Sequence, residues 1–211
     1  MPRSTVAAVL RRAGLARLAD LVPPEPDRRY EHERPGDLIH LDIKELGRIE
    51  RPGHRVTGDR SKRCRGAGWE YVHVAIDDAS RLAVVEVLAN EEAETTVGFL
   101  KRALIFFRLH GIRVRRVLTD NGGAYRSFNF ADFCLARSIV HKRTRPYRPR
   151  TNGRADRLIQ TLLREWAYKR PYLSSARRTA ALSRWLSYYH HRRPHGSLRG
   201  KTPIARVVTQ Q

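Results

Sequence analysis

Cysteine is scarce in this chain, which has two in 211 residues, Cys64 and Cys134. Two cysteines cannot form the several disulfides of a small secreted scaffold, and their scarcity is typical of proteins in a reducing cytosol. No stretch approaches the roughly 20 consecutive apolar residues that a membrane-spanning helix needs. The N-terminal residues also lack an apolar run followed by a small-residue cleavage site, which a secretory signal would have. We therefore expect a cytoplasmic protein without a membrane partner.

Acidic residues are almost missing from the last third of the chain. From His141 to Gln211 there are 18 Lys and Arg but only two acids, Asp156 and Glu165. The whole chain has a formal charge of +21, so most of the excess lies in this segment. An uneven basic charge of this kind is typical of proteins that bind a polyanion, most often nucleic acid. The alternative is a solvated basic surface from an Arg-rich genome.

The pattern of apolar residues predicts an α/β fold. Hydrophobic residues make up 41% of the chain, which is enough for a packed core. Three β-rich runs come first (38–46, 69–77 and 81–88), and short strands then alternate with helices. Antiparallel strands followed by alternating β and α units predict a five-stranded mixed sheet with helices on both faces. The predicted helices cover 91–110, 128–136, 152–168 and 174–190.

Composition divides the chain into three parts. Residues 1–35 combine a short amphipathic helix, over about 4–20, with a linker rich in Pro and charge that cannot be helical throughout. Residues 36–203 contain all the predicted strands and long helices and form the main domain. Residues 204–211 are a short tail.

Two acids stand apart from those on surfaces and turns. Asp42 interrupts an otherwise apolar strand, where an unpaired carboxylate is costly to bury. Asp120 follows a strand, and ligands of α/β sheets gather outside the carboxyl ends of strands. Both have ordinary alternatives: Asp42 could form a buried ion pair, and the Asp-Asn-Gly sequence at Asp120 favours a simple turn.

A third acid, Asp156, lies near the start of a helix and at the edge of its apolar face. Its ordinary alternative is to complement the positive end of the helix dipole. Three carboxylates in a strongly basic chain indicate a site for a hard cation such as Mg²⁺, which prefers oxygen ligands. Two such ions about 4 Å apart can activate a water and stabilise the leaving oxygen of a phosphodiester. We expect Mg²⁺ or Mn²⁺, as two ions.

Basic and amide side chains around Asp156 are expected to contact DNA phosphates. We expect Asn121 and Asn152 to orient ligands or phosphates, and the Arg-rich loop over 48–65 to contact DNA as well. Histidine and cysteine spacings do not fit a structural zinc site. The predicted DNA-binding residues are Lys142, Arg143, Arg145, Arg148, Arg150, Asn152, Arg154 and Arg157.

Five segments resemble one family, the bacterial insertion-sequence transposases, which have a retroviral-integrase-type catalytic core and a ribonuclease H-like fold. The segments are HLDIK, VHVAIDDASR, LTDNGGAY, RPYRPRTNGRADRLIQTLLREW and YYHHRRPHGSL, and they span about Asp37 to Pro203. The resemblance implies that Asp42, Asp120 and Asp156 are the catalytic and metal-binding acids. Asp42 and Asp120 would share one metal ion, and Asp156 would hold the second.

The resemblance also implies an activity. The enzyme would cut DNA at transposon ends with Mg²⁺, and the freed 3′-hydroxyl would then attack target DNA without a covalent protein intermediate. It would act as a homo-oligomer on DNA in the bacterial cytoplasm, associated with the nucleoid. The N-terminal helix resembles the last helix of a helix-turn-helix that reads the transposon end, so residues 1–35 are interpreted as its remnant.

Two positions depart from the family pattern. Asp156 stands where the family normally has Glu, although the thirty-five residues between Asp120 and Asp156 match the family spacing. Because Asp is one methylene shorter, its carboxylate is expected to fall about 1 Å short, a misplacement that can cost about 10²-fold in rate. His190 stands where the tail motif usually has Asn.

Two rival functions remain open. The first is a catalytically impaired, N-terminally truncated DNA-binding remnant, or an inhibitor of transposition. It predicts salt-sensitive DNA binding without metal-dependent cleavage. The second is a ribonuclease H-type nuclease that acts on RNA–DNA hybrids, which the same three acids would serve. A comparison of hybrid and duplex substrates separates this nuclease from the transposase.

Overall fold

The computed structural model describes residues 2–15, 32–52, 57–59, 67–144 and 152–208. The chain forms two compact units, Met1–Glu31 and His32–Gln211. The first unit contains helix α1, Arg3–Arg12. This helix is shorter than the sequence predicts, because Gly14 adopts the left-handed φ of +72° that commonly ends a helix. Residues 16–31, which include most of the predicted linker, lie outside the described residues.

The second unit is built on one five-stranded sheet, with the strand order β3-β2-β1-β4-β5. Strands β1, β2 and β3 pair antiparallel, while β4 runs parallel to β1 and β5 parallel to β4. The predicted mixed sheet is therefore confirmed. The strands are β1 Ile39–Gly47, β2 Trp69–Asp77, β3 Ala83–Leu88, β4 Arg116–Thr119 and β5 Val140–Arg143.

Five helices of the described residues belong to this unit. Ser127 and Ser174 cap the second and fourth of them by accepting backbone N–H groups at 3.2 and 3.3 Å. The predicted helix over 152–168 changes to a π-helical turn at Leu163–Ala167. The helices are α2 Ala93–Leu109, α3 Phe128–Leu135, α4 Gly153–Leu162, α5 Ser175–His191 and α6 Pro203–Val208.

The helices cover both faces of the sheet, as the sequence predicts. Alternation along β2 sends Ala75 to one face and Val74 and Ile76 to the other. One core combines the first face with α2 and α3, and the other combines the second face with α4 and α5. Helix α6 crosses the predicted junction between main domain and tail, and its Val207 is buried in the first core.

None of the helices in the described part of the chain is long and apolar enough to cross a membrane.

Candidate active site

The parallel pairing of β1 and β4 brings Asp42 and Asp120 to the same edge of the sheet. His40 in β1 lies opposite Leu118 in β4. Asp42 follows His40 by two residues within β1, and Asp120 follows Leu118 by two residues, just after β4. The parallel register therefore brings the two acids near each other. Asp42 is half-buried, and Asp120 is exposed in the loop after β4.

Helix α4 carries Asp156 to the same edge of the sheet, and Asn152, the residue before α4, anchors the helix there. The side chain of Asn152 is buried, and its Nδ2 donates to the carbonyl of Leu41 at 3.0 Å. Its Oδ1 lies 3.1 Å from Nδ1 of His40. These bonds fix the start of α4 against β1, and Asp156 follows in the first turn of the helix with an exposed side chain.

The three carboxylates interact electrostatically. Burial, with a smaller contribution from the negative charges of Asp120 and Asp156, raises the pKa of Asp42 from 3.8 to about 7, against a hydrogen bond from the Ile43 amide. Burial also raises the pKa of Asp156, and the charge of Asp120 adds to the effect. The site therefore concentrates negative charge that a cation would relieve.

The turn expected as the alternative role of Asp120 is also present. Its Oδ1 accepts the Gly122 amide at 2.9 Å, which is the usual bond of an Asx turn. A Cβ at Gly122 would lie 3.1 Å from that oxygen, so the close approach favours glycine. The turn occupies one oxygen of Asp120 only, so the two roles of this residue are compatible.

The donor set suits Mg²⁺ better than a softer metal, since it contains only carboxylate oxygens. Within the described ranges, no three His, Cys, Asp or Glu side chains lie close enough to form a ready-made metal group. Mg²⁺ does not need one, because it commonly binds one or two carboxylates and completes its shell with water and substrate phosphate. Asp42 and Asp120 would supply that pair, with Asp156 beside it.

The sequence-predicted DNA contacts divide into three groups in the structure. Lys142 and Arg143 on edge strand β5 and Arg157 on α4 are exposed. Asn152 and Arg154 bond within the protein, Arg154 through Nε to Asp78 at 2.9 Å. The third group lies outside the described residues and consists of Arg145, Arg148 and Arg150. Much of the basic loop, 53–56 and 60–66, also lies outside them. The Nδ2 of Asn121 donates to the carbonyl of Thr144 at 2.9 Å.

The turn between β2 and β3 contains a buried network that sequence reasoning missed. Asp77 is the last residue of β2 and Asp78 follows it in the turn, and both are fully buried. Burial opposes ionisation of Asp78, but hydrogen bonds from His40, the His32 amide and Arg154 hold its pKa below the usual range. The one available signal was the pair of adjacent acids at the end of a strong strand.

The C-terminal motif packs on the same turn. The hydroxyl of Tyr189 donates to the carbonyl of Arg81 at 3.1 Å, and Nε of Arg81 donates to Ser197 Oγ at 3.2 Å. His190 stands where the family usually has Asn, and its Nε2 lies 2.9 Å from the carbonyl oxygen of Ala83. The tail motif therefore holds the β2–β3 turn in place.

Comparison with known proteins agrees with this architecture. Residues 32–149 match the family model described as integrase core domain, and residues 137–203 match a second model of the same description. The chain is 32% identical over 133 residues to an uncharacterised protein of Caenorhabditis elegans, covering 63% of this chain and 10% of that protein. It is 35% identical over 96 residues to the retrovirus-related Pol polyprotein from transposon TNT 1-94 of Nicotiana tabacum.

That second match covers 46% of this chain and 7% of the polyprotein, so the chain spans a tenth or less of either relative. Among solved structures, the catalytic core domain of HTLV-2 integrase in complex with magnesium (trimeric form) superposes with a TM-score of 0.57 at 20% identity. The superposition covers 81% of this chain and 95% of that domain, and it shows the ribonuclease H-like fold. Because the integrase model matches more than half of the chain, this protein belongs to the integrase core domain family.

Proposed function

We propose that this chain is the catalytic core of a DNA transposase of the bacterial insertion-sequence type. The observation that carries the proposal is the electrostatic coupling of Asp42, Asp120 and Asp156, which come from β1, the loop after β4 and α4. Burial raises the pKa of Asp42, and the charges of Asp120 and Asp156 act in the same direction. A cluster of repelling carboxylates in a chain of +21 suits a site that binds cations and holds a polyanion.

The residues of the site would divide the chemistry between them. Asp42 and Asp120 would share one Mg²⁺, and Asp156 would hold a second. When bound, the ions would polarise the phosphodiester and lower the pKa of the attacking water or hydroxyl. Lys142, Arg143 and Arg157 would bind DNA phosphates and fix the strand for in-line attack.

The proposed reaction has two balanced steps. In cleavage, a water oxygen bonds to phosphorus, the bond from phosphorus to the 3′-oxygen breaks, and the 3′-oxygen leaves as a hydroxyl. In strand transfer, that 3′-hydroxyl attacks a target phosphate and displaces another 3′-oxygen. Neither step needs a covalent bond to the protein. We further propose that the chain acts as a homo-oligomer on DNA in the bacterial cytoplasm, and that residues 1–35 derive from a helix-turn-helix.

The test is metal-dependent cleavage of a duplex that carries the terminal repeats flanking the gene. We expect nicking and strand transfer with Mg²⁺ or Mn²⁺, and loss of both in Asp42→Asn and Asp120→Asn. Asp132→Asn is the matched control, because Asp132 is an exposed acid on α3, outside the site. Cleavage that survives both site variants contradicts the proposal, as does stronger cutting of RNA–DNA hybrids than of duplex DNA.

A second candidate function is a DNA-binding remnant that inhibits transposition. It is supported by Asp156, whose side chain is exposed and one methylene shorter than the Glu that is usual in the family. This candidate predicts DNA binding that weakens with salt, no cleavage with either metal, and the same affinity after Asp42→Asn. Cleavage by the wild-type chain excludes it.

A further inference from the structure

We infer that Asp78 is a positioning residue, which joins β1 to the first turn of α4 and so sets Asp156 against Asp42. The inference deepens the proposed function and depends on it for its catalytic consequence. Asp78 itself is buried, with 1% of its surface exposed, so it cannot contact DNA in this structure. It acts through the residues that it binds.

Asp78 binds His40, which lies near Asp42 in the sequence, and Arg154, which lies near Asp156. Its Oδ1 lies 3.2 Å from Nε2 of His40, two residues before Asp42. The same oxygen accepts Nε of Arg154 at 2.9 Å, and Arg154 is two residues before Asp156. One carboxylate oxygen therefore ties together the two segments that carry Asp42 and Asp156.

A second path runs between the same two segments. The other ring nitrogen of His40 lies 3.1 Å from Asn152 Oδ1, and Asn152 donates to the carbonyl of Leu41. Asp78, His40 and Asn152 thus form a continuous buried chain from the β2–β3 turn to the start of α4. Since α4 has no side-chain cap of its own, this chain and Arg154 help to fix its first turn, together with the buried Ala155 and Leu158.

The turn that carries Asp78 is itself held firmly. The Asp78 amide donates to the carbonyl of Leu38 at 2.9 Å, and the Asp78 Oδ2 accepts the His32 amide at 2.8 Å. On the other side, Tyr189 binds the carbonyl of Arg81. The C-terminal motif therefore packs against the same turn that carries Asp78.

Asp77 provides a control of matched burial in the same turn. It is fully buried, and its oxygens accept the Gly36 amide at 2.8 Å and the amide and hydroxyl of Ser80, each at 2.7 Å. These side-chain bonds stabilise the turn and reach neither β1 nor α4. Asp77→Asn should therefore destabilise the fold without loosening α4 in particular.

The experiment is amide hydrogen exchange on the full chain without metal or DNA. We expect Asp78→Asn to speed the exchange of amides 157–160, which donate to the first-turn carbonyls, by about ten-fold relative to amides of β2. Asp77→Asn should speed exchange in both places alike. If Asp78→Asn and Asp77→Asn give the same pattern, the inference is wrong.

Arg154→Gln keeps the inference testable if Asp78→Asn does not fold, because Arg154 is only partly buried. It removes one of the two links and should loosen amides 157–160 in the same way, while an unchanged rate contradicts the inference. A second readout is the Mg²⁺ concentration that gives half of the maximal thermal stabilisation. It should rise several-fold in Asp78→Asn and stay constant in Asp77→Asn.

The two failures are distinguishable. Loosening of α4 in a protein whose wild-type form never cleaves DNA supports the positioning role and contradicts the proposed function. If the wild type cleaves DNA but Asp78→Asn does not selectively loosen α4, the proposed function is supported and the positioning role is contradicted.

Discussion

Asn152 donates its side-chain amide to the backbone carbonyl of Leu41 at 3.0 Å, joining the residue before α4 to the residue before Asp42. An asparagine in this position could have capped the helix, but its side chain makes no cap bond. The amide instead makes a tertiary contact, which determines where the first turn of α4 lies on the sheet. The location of Asp156 therefore depends on a hydrogen bond between residues 111 positions apart.

Asn152→Ala should separate positioning from DNA contact. The variant leaves Leu41 O and His40 Nδ1 without this partner, and each such buried group costs about 1–3 kcal/mol of unfolding free energy. If Asn152 is a positioning residue, duplex DNA affinity should stay within two-fold while cleavage falls sharply. Asn129→Ala, on the exposed face of α3, is the control. A large loss of DNA affinity would instead support the phosphate contact that the sequence predicts.

Asp156→Glu should raise the rate of metal-dependent cleavage by about ten- to hundred-fold. The added methylene extends the carboxylate by about 1 Å, and misplacement by that distance can cost about 10² in rate. The measurement is the single-turnover cleavage rate at saturating Mg²⁺, with Glu94→Asp, a change at an exposed acid on α2, as the control. An unchanged or lower rate would show that Asp156 already lies at a productive distance.

Asp42→Asn should stabilise the metal-free protein at pH 8. The pKa of Asp42 is raised to about 7 from 3.8, so its stabilising contribution is complete below pH 3.8 and is lost as the pH rises through 7. The neutral amide avoids that loss, and we expect a gain of about 1–3 kcal/mol at pH 8 that disappears near pH 4. Urea denaturation at both pH values measures it. Mg²⁺ should stabilise the wild type and fail to stabilise the variant.

His190 should make the fold sensitive to acid. Burial, with smaller contributions from the nearby His110, His191 and His195, lowers its pKa from 6.5 to about 4, against the bond to Ala83. A depressed histidine pKa gives stability that is complete above pH 6.5 and is lost as the pH falls through 4. His190→Asn should therefore flatten the decline in unfolding free energy between pH 7 and 4.5. The exposed neighbour provides the control, because His191→Asn removes only a minor contribution to this shift and should change the slope far less.

Lys142 and Arg143 should contribute to DNA binding through phosphates alone. Replacing either by Gln should weaken binding equally for all duplex sequences and reduce the slope of log affinity against log salt by about 1. Fluorescence anisotropy between 50 and 200 mM salt measures this slope. Lys101→Gln is the control, since Lys101 is exposed on α2, an element that carries none of the three acids. Equal slopes for all three variants would place the DNA elsewhere.

Much of the fold could be predicted, because it depends on local pattern. The β-rich runs at the start of the main domain predicted an antiparallel start to the sheet, and the pairing of β1, β2 and β3 confirms it. The exact ends of elements were harder to predict, because tertiary packing and single glycines set them. Helix α1 ends at Arg12, and α4 changes to a π-helical turn at Leu163.

The sequence predicted the acids of the candidate site but not the buried residues that position them. Asp42 and Asp156 were identified because carboxylates are rare in an apolar strand and in a basic segment, and Asp120 because it follows the carboxyl end of a strand. Their catalytic role stays a prediction. Arg154 was assigned to DNA because it belongs to a basic run, yet the structure gives it a buried acid as partner. Nothing in the local sequence distinguishes an arginine that binds a phosphate from one that binds Asp78.

The sequence by itself determined the mixed sheet, the basic last third and the three candidate acids, because periodicity, composition and spacing are local properties of the chain. Only the tertiary structure decided that Asp78, His40 and Asn152 form one buried chain. Their bonds join residues 38 and 112 positions apart, and buried polar groups take whichever partner the packing brings within reach. That packing determines how the third carboxylate is held beside the other two.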